Sequence, residues 1–553
     1  MEIRTVSDRF AVSPQIGPDD VAALADAGFT AIICNRPDSE EGGQPAANNI
    51  RTAAEAAGIA FHHLPVSGGE FPDQVVAKFR ALRQTPAAKV LAYCRTGTRS
   101  ITLDTLANPD GLKASIRLEQ AKAAGYDLSA LADSLSSDSS DVSSHAPAVR
   151  HTIVIVGGGS AGIATAASLL KRQPNLDLAI IEPSEDHYYQ PGWTMVGGGV
   201  FDAATTRHST ASVMHKQARW LKTSAKSFEP DNNIVILENG DRIEYELLVV
   251  APGIKLDWSQ IDGVTETLGR NGVTSNYRFD LAPYTWELVS NLKGGRALFS
   301  QPPMPIKCAG APQKAMYLSC NAWEDAGTLG QTEVEFHNAG GVLFGVEAYV
   351  PALMEYVERY GINLKLGSTL VAVDGPAKMA TFKTADGEVT REFDMLHVVP
   401  PQTAPDFIRN SPLAGESGFV DVDQFTMQHN KYPNVFGLGD AGSMPNAKTM
   451  AAARKQAPIV AVNALAVLAG KPTVSDYDGY GSCPLTVERG KIVLAEFGYG
   501  GKLLPSFPKW IIDGTKARRL SWLLKSEALP WIYWNGMLKG HEWLANPVPR
   551  TMK

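Results

Sequence analysis

The stretch that most constrains this chain runs from His151 to Glu182, HTIVIVGGGSAGIATAASLLKRQPNLDLAIIE. The apolar run Ile153 to Val156 enters the turn Gly157-x-Gly159-x-x-Gly162. A small-residue helix follows, and a second apolar strand delivers Glu182 twenty residues past Gly162. Strand, glycine turn, helix, strand and acid is the order a dinucleotide site needs. Gly157 makes the tight turn, Gly159 lets backbone approach a pyrophosphate, and Gly162 lets the helix pack on the strand. Gly159, Ser160 and Ala161 open a helix N-terminus whose unpaired N–H groups suit phosphates. Glu182 is placed to accept ribose hydroxyls.

With 553 residues the chain has room for three or four domain-sized units. A net charge of −7 offers no electrostatic footprint for nucleic acid. The opening MEIRTVSDRF lacks a basic region followed by an apolar one, so no secretory signal is expected. No run of roughly 18 uncharged apolar residues stands out, so no spanning helix is expected either. Five scattered cysteines (Cys34, Cys94, Cys308, Cys320, Cys483) make neither a disulfide framework nor a paired metal pattern. The expectation is a cytoplasmic chain without metal, whose cysteines are free for chemistry.

Residues 1 to about 130 alternate strand-like and helix-like segments. Asp19 to Gly28, Asn48 to Gly58 and Gln74 to Arg83 read as helices, with strands at Phe29 to Cys34 and Phe61 to Val66. Lys89 to Tyr93 then forms a strand that empties into CRTGTRS. A cysteine on a short loop before a helix lies among backbone N–H groups, and the positive helix end with Arg95 and Arg99 would lower its thiol pKa. Cys94 is therefore read as a nucleophile. Cys34, inside an apolar strand, is read as inert core. His62 and His63 point to opposite faces of one strand and cannot share a metal.

The segments FAVSPQI, CNRPDSEEGGQP and YCRTGTRS resemble the small phosphatase-like domain of beta-lactamase-hydrolase-like proteins. The spacing from Cys94 to Arg99 is one residue shorter than in a tyrosine-phosphatase loop and is similar to the rhodanese loop. A shorter ring suits a persulfide sulfur better than a phosphoryl group, so this resemblance favours sulfur transfer, with a cysteine phosphatase as the alternative.

Residues 131–150 are rich in serine and aspartate and read as a linker. Beyond Glu182 lie the aromatic loop HYYQPGWTMVGGG and strands at Ile234 to Glu238 and Tyr245 to Val250, the second ending in a tight turn, Ala251 to Gly253. Much later PNVFGLGDAG supplies Gly439 and Asp440, about 280 residues after the first motif, with a helix from about Ala447. This pair of motifs resembles that of flavoproteins with two nucleotide-binding domains, where the second motif returns the chain to the same FAD. Between them the strand Arg296 to Ser300 is followed by QPPMPIKCAGAPQKAMYL, with no phosphate-cradling glycine triplet, so NAD(P)H is not expected. Cys308 stands there instead, on a loop entering a helix and preceded by Lys307, a reactive setting. Cys320, inside the helix, is read as structural. Cys483 lies 175 residues beyond Cys308, and two cysteines brought to one flavin are what flavin-coupled sulfur oxidation needs.

From Thr152 to near the end the chain resembles the sulfide:quinone oxidoreductase family, on HYYQPGWTMVGGG, PIKCAGAPQKAMYL, LHVVPPQTAPDFI, PNVFGLGD followed by Lys448 and Thr449, and YGSCPL with VLAEFGY. The resemblance implies that Cys308 and Cys483 are the redox pair, that Glu182 and Asp440 hold FAD, and that Lys448 lies near its ring. Asp440-Ala441-Gly442 departs from the family, where a longer polar turn is commoner.

The C-terminal stretch holds Trp510, Trp522, Trp531, Trp534 and Trp543, interleaved with Lys509, Lys516, Arg518, Arg519, Lys525 and Lys539. Tryptophan and leucine among basic residues suit a helix lying in a membrane surface, from which a lipid-soluble quinone can be reached.

The expected fold is α/β. A phosphatase- or rhodanese-like domain (1–130) and the linker precede an FAD-binding domain in two parts (151–265 and 391–470). A second Rossmann-like domain carrying Cys308 (266–390) is inserted between those parts, and a C-terminal region (471–553) carries Cys483 and the membrane anchor. The expected activity is FAD-dependent oxidation of sulfide to a persulfide, with quinone as electron acceptor. A small thiol, sulfite or cyanide would take the sulfur, and the enzyme would sit on the inner membrane. An NADH:quinone dehydrogenase and a non-catalytic flavin sensor are the alternatives.

Overall fold

The apolar runs Phe10–Ser13, Ala31–Cys34 and Val90–Tyr93 are buried at every position, as the inner strands of a sheet covered on both faces must be. In this computed structural model, which describes residues 2–67, 71–85, 89–110, 112, 114–132, 135 and 149–550, they belong to one of two units, residues 1–147 and 148–553. The first unit is a five-stranded sheet in the order Arg4–Ser7, Phe10–Ser13, Val90–Tyr93, Ala31–Cys34, Ala60–His63. Only the first pair is antiparallel. Cys94 follows the middle strand and precedes the helix Thr98–Ala107, at the carboxyl end of the sheet where α/β folds place their sites. Several expected elements are trimmed at their ends. The helix from Asp19 opens as a 3₁₀ turn, Pro18–Asp20, and runs Val21–Asp26. The strand expected to Val66 stops at His63, just ahead of Pro65, which has no N–H for a ladder. Of the expected linker, residues 133, 134 and 136–148 lie outside the described residues.

In the second unit the fingerprint strand Val149–Val156 lies between Leu178–Ile181 and Arg242–Val250, parallel to both. The last of these strands is shared. Its first half pairs antiparallel with Ile234–Leu237, and its end pairs parallel with Val435–Gly437, which carries the second motif. One sheet thereby brings residues 157–162 and 439–442 to the same edge. A second, parallel sheet runs Val273–Thr274, Met395–His397, Gly295–Gln301, Thr332–Asn338, Asn363–Leu366. Its strand Gly295–Gln301 feeds the Cys308 loop and the helix Ala311–Asp325, and the hairpin Gly481–Glu488 with Lys491–Phe497 packs on that helix. The final segment is helical over Arg519–Leu523, a π turn over Leu524–Ala528 and helical again over Leu529–Asn535.

Candidate active site

The glycine loop is built by close approach. A side chain at Gly157, whose φ is +103°, would stand 2.5 Å from the Ala251 carbonyl oxygen, so the loop is pressed against the Ala251–Gly253 turn of the next strand. At Gly159 a Cβ would meet nothing within 4 Å, because the backbone there faces an open cavity. The helix Ser160–Arg172 starts at that point with its N–H groups aimed outward. Glu182 closes the loop from beneath, one carboxylate oxygen accepting from the Gly158 N–H (2.8 Å) and the other from the Ser184 N–H (2.8 Å). A polar chain reinforces the helix start. His187 Nδ1 lies 3.2 Å from the Gly158 carbonyl, His187 Nε2 2.6 Å from the Tyr533 hydroxyl, and that hydroxyl 2.7 Å from Ser160 Oγ. Burial lowers the His187 pKa to about 4, so the imidazole is neutral, with Nδ1–H donating and Nε2 accepting.

The cavity, about 320 Å³, runs from Gly159, Ser160 and Gly253 past Gly439 and Asp440 to Cys308. Lys448 lines it too. Its ammonium donates to the Asp440 carbonyl (2.9 Å) and the Gly442 carbonyl (2.8 Å), and burial lowers its pKa to about 8. Burial raises the Asp440 pKa against the pull of Lys448 and Lys307.

The two distant cysteines meet at the far end. Cys308 Sγ is 3.5 Å from Cys483 Sγ, and the Lys314 ammonium donates to Cys308 Sγ at 3.1 Å. The Cys308 backbone is fixed in the left-handed region (φ +50°), with its N–H donating to the Lys448 carbonyl (2.8 Å). The Cys483 S–H and then the Lys314 charge hold the Cys308 thiol well below its ordinary pKa, while its partnership with Cys308 and burial push Cys483 up. In the reduced pair Cys308 is the thiolate and Cys483 the thiol. Lys525 also faces this end. Its ammonium donates to the Pro191 carbonyl (3.0 Å), and burial, then the neighbouring Lys314 charge, bring its pKa to about 7. The sequence places Lys525 among the basic residues of a lipid-facing helix. It points inward instead, 2% exposed, because positions four apart (Ser521, Lys525, Leu529, Tyr533) form the helical face turned to the protein.

Among the other cysteines, Cys320 is fully buried in the helix Ala311–Asp325 with its pKa raised by burial. Cys34 is core, likewise raised by burial. Cys94, fully buried, accepts at Sγ from the Gly97 N–H (3.2 Å). Arg99 turns its charge toward that sulfur, whereas Arg95 is exposed.

Residues 151–287 match the pyridine nucleotide-disulphide oxidoreductase family, and residues 2–111 the phosphatase-like domain of beta-lactamase hydrolase-like protein. The mitochondrial sulfide:quinone oxidoreductase of Dictyostelium discoideum is 42% identical over 403 residues, covering 72% of this chain and 88% of that protein. The chain belongs to the sulfide:quinone oxidoreductase family. The solved sulfide:quinone oxidoreductase of Aquifex aeolicus shares the fold, with a TM-score of 0.58 at 19% identity over 70% of this chain and 92% of that one. For the first unit, a beta-lactamase hydrolase-like protein of Xylella fastidiosa is 34% identical over 106 residues, 19% of this chain and a quarter of that protein. FAD is the cofactor, and the cavity fits it. Gly159 leaves space where a diphosphate would need it, the helix N-terminus and Glu182 would hold the adenosine half, and Gly439, Asp440 and Lys448 lie toward the thiols.

Reading the sequence missed Lys314, Gly310 and Tyr533. Lys314 had a signal, since it is the only charged residue between Lys307 and Glu324 on an otherwise apolar helix, and a buried lysine demands a partner. Gly310 is required because a Cβ there would lie 2.4 Å from Cys483 Sγ. Tyr533 reaches Ser160 from 373 residues away and had no local signal.

Proposed function

We propose that this chain oxidises sulfide at Cys308 and Cys483, that the electrons leave through FAD to a quinone, and that the sulfur is handed on with Cys94 as one acceptor. The observation that carries the reading is the Cys308–Cys483 pair with Lys314 on Cys308, set in one cavity with the glycine loop and Asp440. In the oxidised enzyme the two sulfurs are joined, as a disulfide or through a bridging sulfur. Taking the disulfide, hydrosulfide attacks one sulfur and the S–S bond breaks. The better leaving group is the sulfur whose thiolate is better stabilised, which is Cys308 beside Lys314. Attack therefore falls on Cys483, leaving a Cys483 persulfide and a Cys308 thiolate. A thiolate, sulfite or cyanide removes the outer sulfur. Re-forming the S–S bond from the two thiolates releases two electrons. Bound FAD supplies the two-electron acceptance for that step, and a quinone taking up two electrons and two protons leaves as quinol.

Among the described residues no helix is long and apolar enough to cross a membrane. The cavity is instead flanked by Leu524, Leu529, Ile532 and Leu544, from the segment that exposes Trp510, Leu520, Leu523, Trp531 and Trp543. Lys516, Arg518 and Arg519 are exposed nearby in sequence. Such a surface supports peripheral association with the inner membrane and quinone access from the bilayer boundary.

The test is anaerobic titration of purified protein with sulfide, with sulfite present to take the outer sulfur. Flavin absorbance falls, and a quinone analogue restores it. A flavin that stays oxidised in excess sulfide removes this reading.

A further inference from the structure

Arg99, the arginine whose charge faces Cys94, is already engaged. Arg99 holds Glu40 in a two-pronged pair, Nη1 to Oε1 and Nη2 to Oε2 at 2.8 Å each, and Nη1 also donates to the Val66 carbonyl (2.6 Å). Arg36 donates from Nε to the same Glu40 carboxylate (2.8 Å), from Nη2 to Glu41 (2.9 Å) and from Nη1 to Gln15 (3.0 Å). An arginine fork is the standard receptor for phosphate and sulfate oxygens, and here a carboxylate occupies it. Hydrogen bonds and charge from Arg99 and Arg36 hold the Glu40 carboxyl down at about 2, so it remains an anion throughout the physiological range. The loop is also narrow. A Cβ on Gly97 would lie 2.0 Å from the Tyr126 hydroxyl, which donates to the Thr96 carbonyl (3.1 Å). Polar capacity is nonetheless left over. The hydroxyls of Ser13, paired with Tyr93 across the sheet, and of Ser100, in the first turn after the loop, are fully buried and lack a hydrogen-bond partner among the described residues.

We propose that Glu40 sets the donor class of the Cys94 site. By filling the arginine fork it closes the loop to oxyanions such as phosphate esters and thiosulfate, and leaves it to hydropersulfides, which bring no phosphate or sulfonate oxygens to the loop. This rests on the reading of Cys94 as a sulfur acceptor. In the transfer the Cys94 thiolate attacks the outer sulfur of R–S–SH and a new S–S bond forms. The old S–S bond breaks, RS⁻ leaves, and the proton stays on the transferred sulfur, with no net oxidation.

The experiment uses the full chain and reads the Cys94 peptide by mass spectrometry. Cysteine hydropersulfide loads Cys94 faster than thiosulfate by about tenfold or more, the weight of one charge-assisted hydrogen bond, and in Glu40→Gln the gap narrows by a similar factor. Inorganic phosphate leaves alkylation of wild-type Cys94 by iodoacetamide unchanged and slows it in Glu40→Gln. Equal loading by the two donors, or protection of wild-type Cys94 by phosphate, overturns the role of Glu40 while leaving Cys94 a sulfur acceptor. No sulfur on Cys94 from either donor removes the underlying reading and this inference with it. Should Glu40→Gln fail to fold, the wild-type comparisons alone decide.

Discussion

At the scale of single residues, the site turns on one ammonium and one missing side chain. Lys314 holds Cys308 as a thiolate, so Lys314→Met removes the cation while keeping the stem. The folded-state pKa of Cys308 is depressed by the Cys483 S–H and then by that cation, and it rises when the cation is lost, so the acid limb of the sulfide-dependent rate moves to higher pH. Flavin bleaching at neutral pH slows, and stopped-flow absorbance across pH checks both effects. Cys308→Ser and Cys483→Ser each abolish turnover with FAD still bound, whereas Cys320→Ser and Cys34→Ser turn over like wild type, since both sulfurs are core. Gly310→Ala tests the geometry without touching a thiol. Its methyl would fall 2.4 Å from both Cys483 Sγ and Leu485 Cδ2, so the sulfurs must part. Turnover should drop sharply while FAD content holds, and an unchanged kcat would show that the 3.5 Å spacing is not needed.

At the scale of elements, the sequence disclosed those whose chemistry is local. The glycine loop, Glu182, the strand ahead of Asp440 and the loop of Cys94 each announce themselves within about thirty residues, because turn, strand and helix share one short segment. Contacts made across hundreds of residues were hidden. The C-terminal stretch shows this best. Read from its tryptophans and lysines it looks like an appendage for lipid, but Tyr533, Met537 and Leu538 belong to the largest core, and Glu542 pairs with Arg172 and Ser168 on the dinucleotide helix. Trp534 stacks on His208 with ring centroids 3.9 Å apart. The face turned outward is narrower: Leu520, Leu523 and Trp531, with Trp543 stacked on Trp531. Deleting the segment would therefore open the core and the FAD cavity together and could not isolate membrane binding. Substituting the outward face alone can. Leu523→Gln with Trp531→Gln should shift the protein from pelleted liposomes to supernatant and raise KM for a long-tailed quinone more than for a water-soluble analogue, with flavin content and sulfide bleaching retained. Persistent pelleting would place the anchor elsewhere.

At the scale of the whole chain, two thiol centres sit in two units of one polypeptide. Once Cys483 carries the outer sulfur, its bond to Cys308 cannot re-form until that sulfur leaves, so removal limits turnover when free acceptors are scarce. A thiol on the same chain makes the removal intramolecular, at an effective concentration on the order of millimolar. Cys94 stands in a loop whose Gly97 N–H already faces its sulfur, with the Arg99 charge beside it. Brief exposure of the full chain to limiting sulfide and quinone should add the mass of one sulfur atom to the Cys94 peptide. In Cys94→Ser the first sulfide still adds to Cys483, but flavin reduction stalls unless sulfite or cyanide is supplied, and added acceptor restores the wild-type rate. The wild type, by contrast, completes one turnover before external acceptor matters, because Cys94 clears the first persulfide. Equal progress curves for both proteins without acceptor, together with no sulfur on the Cys94 peptide, would show that the two centres share a chain but not a sulfur atom.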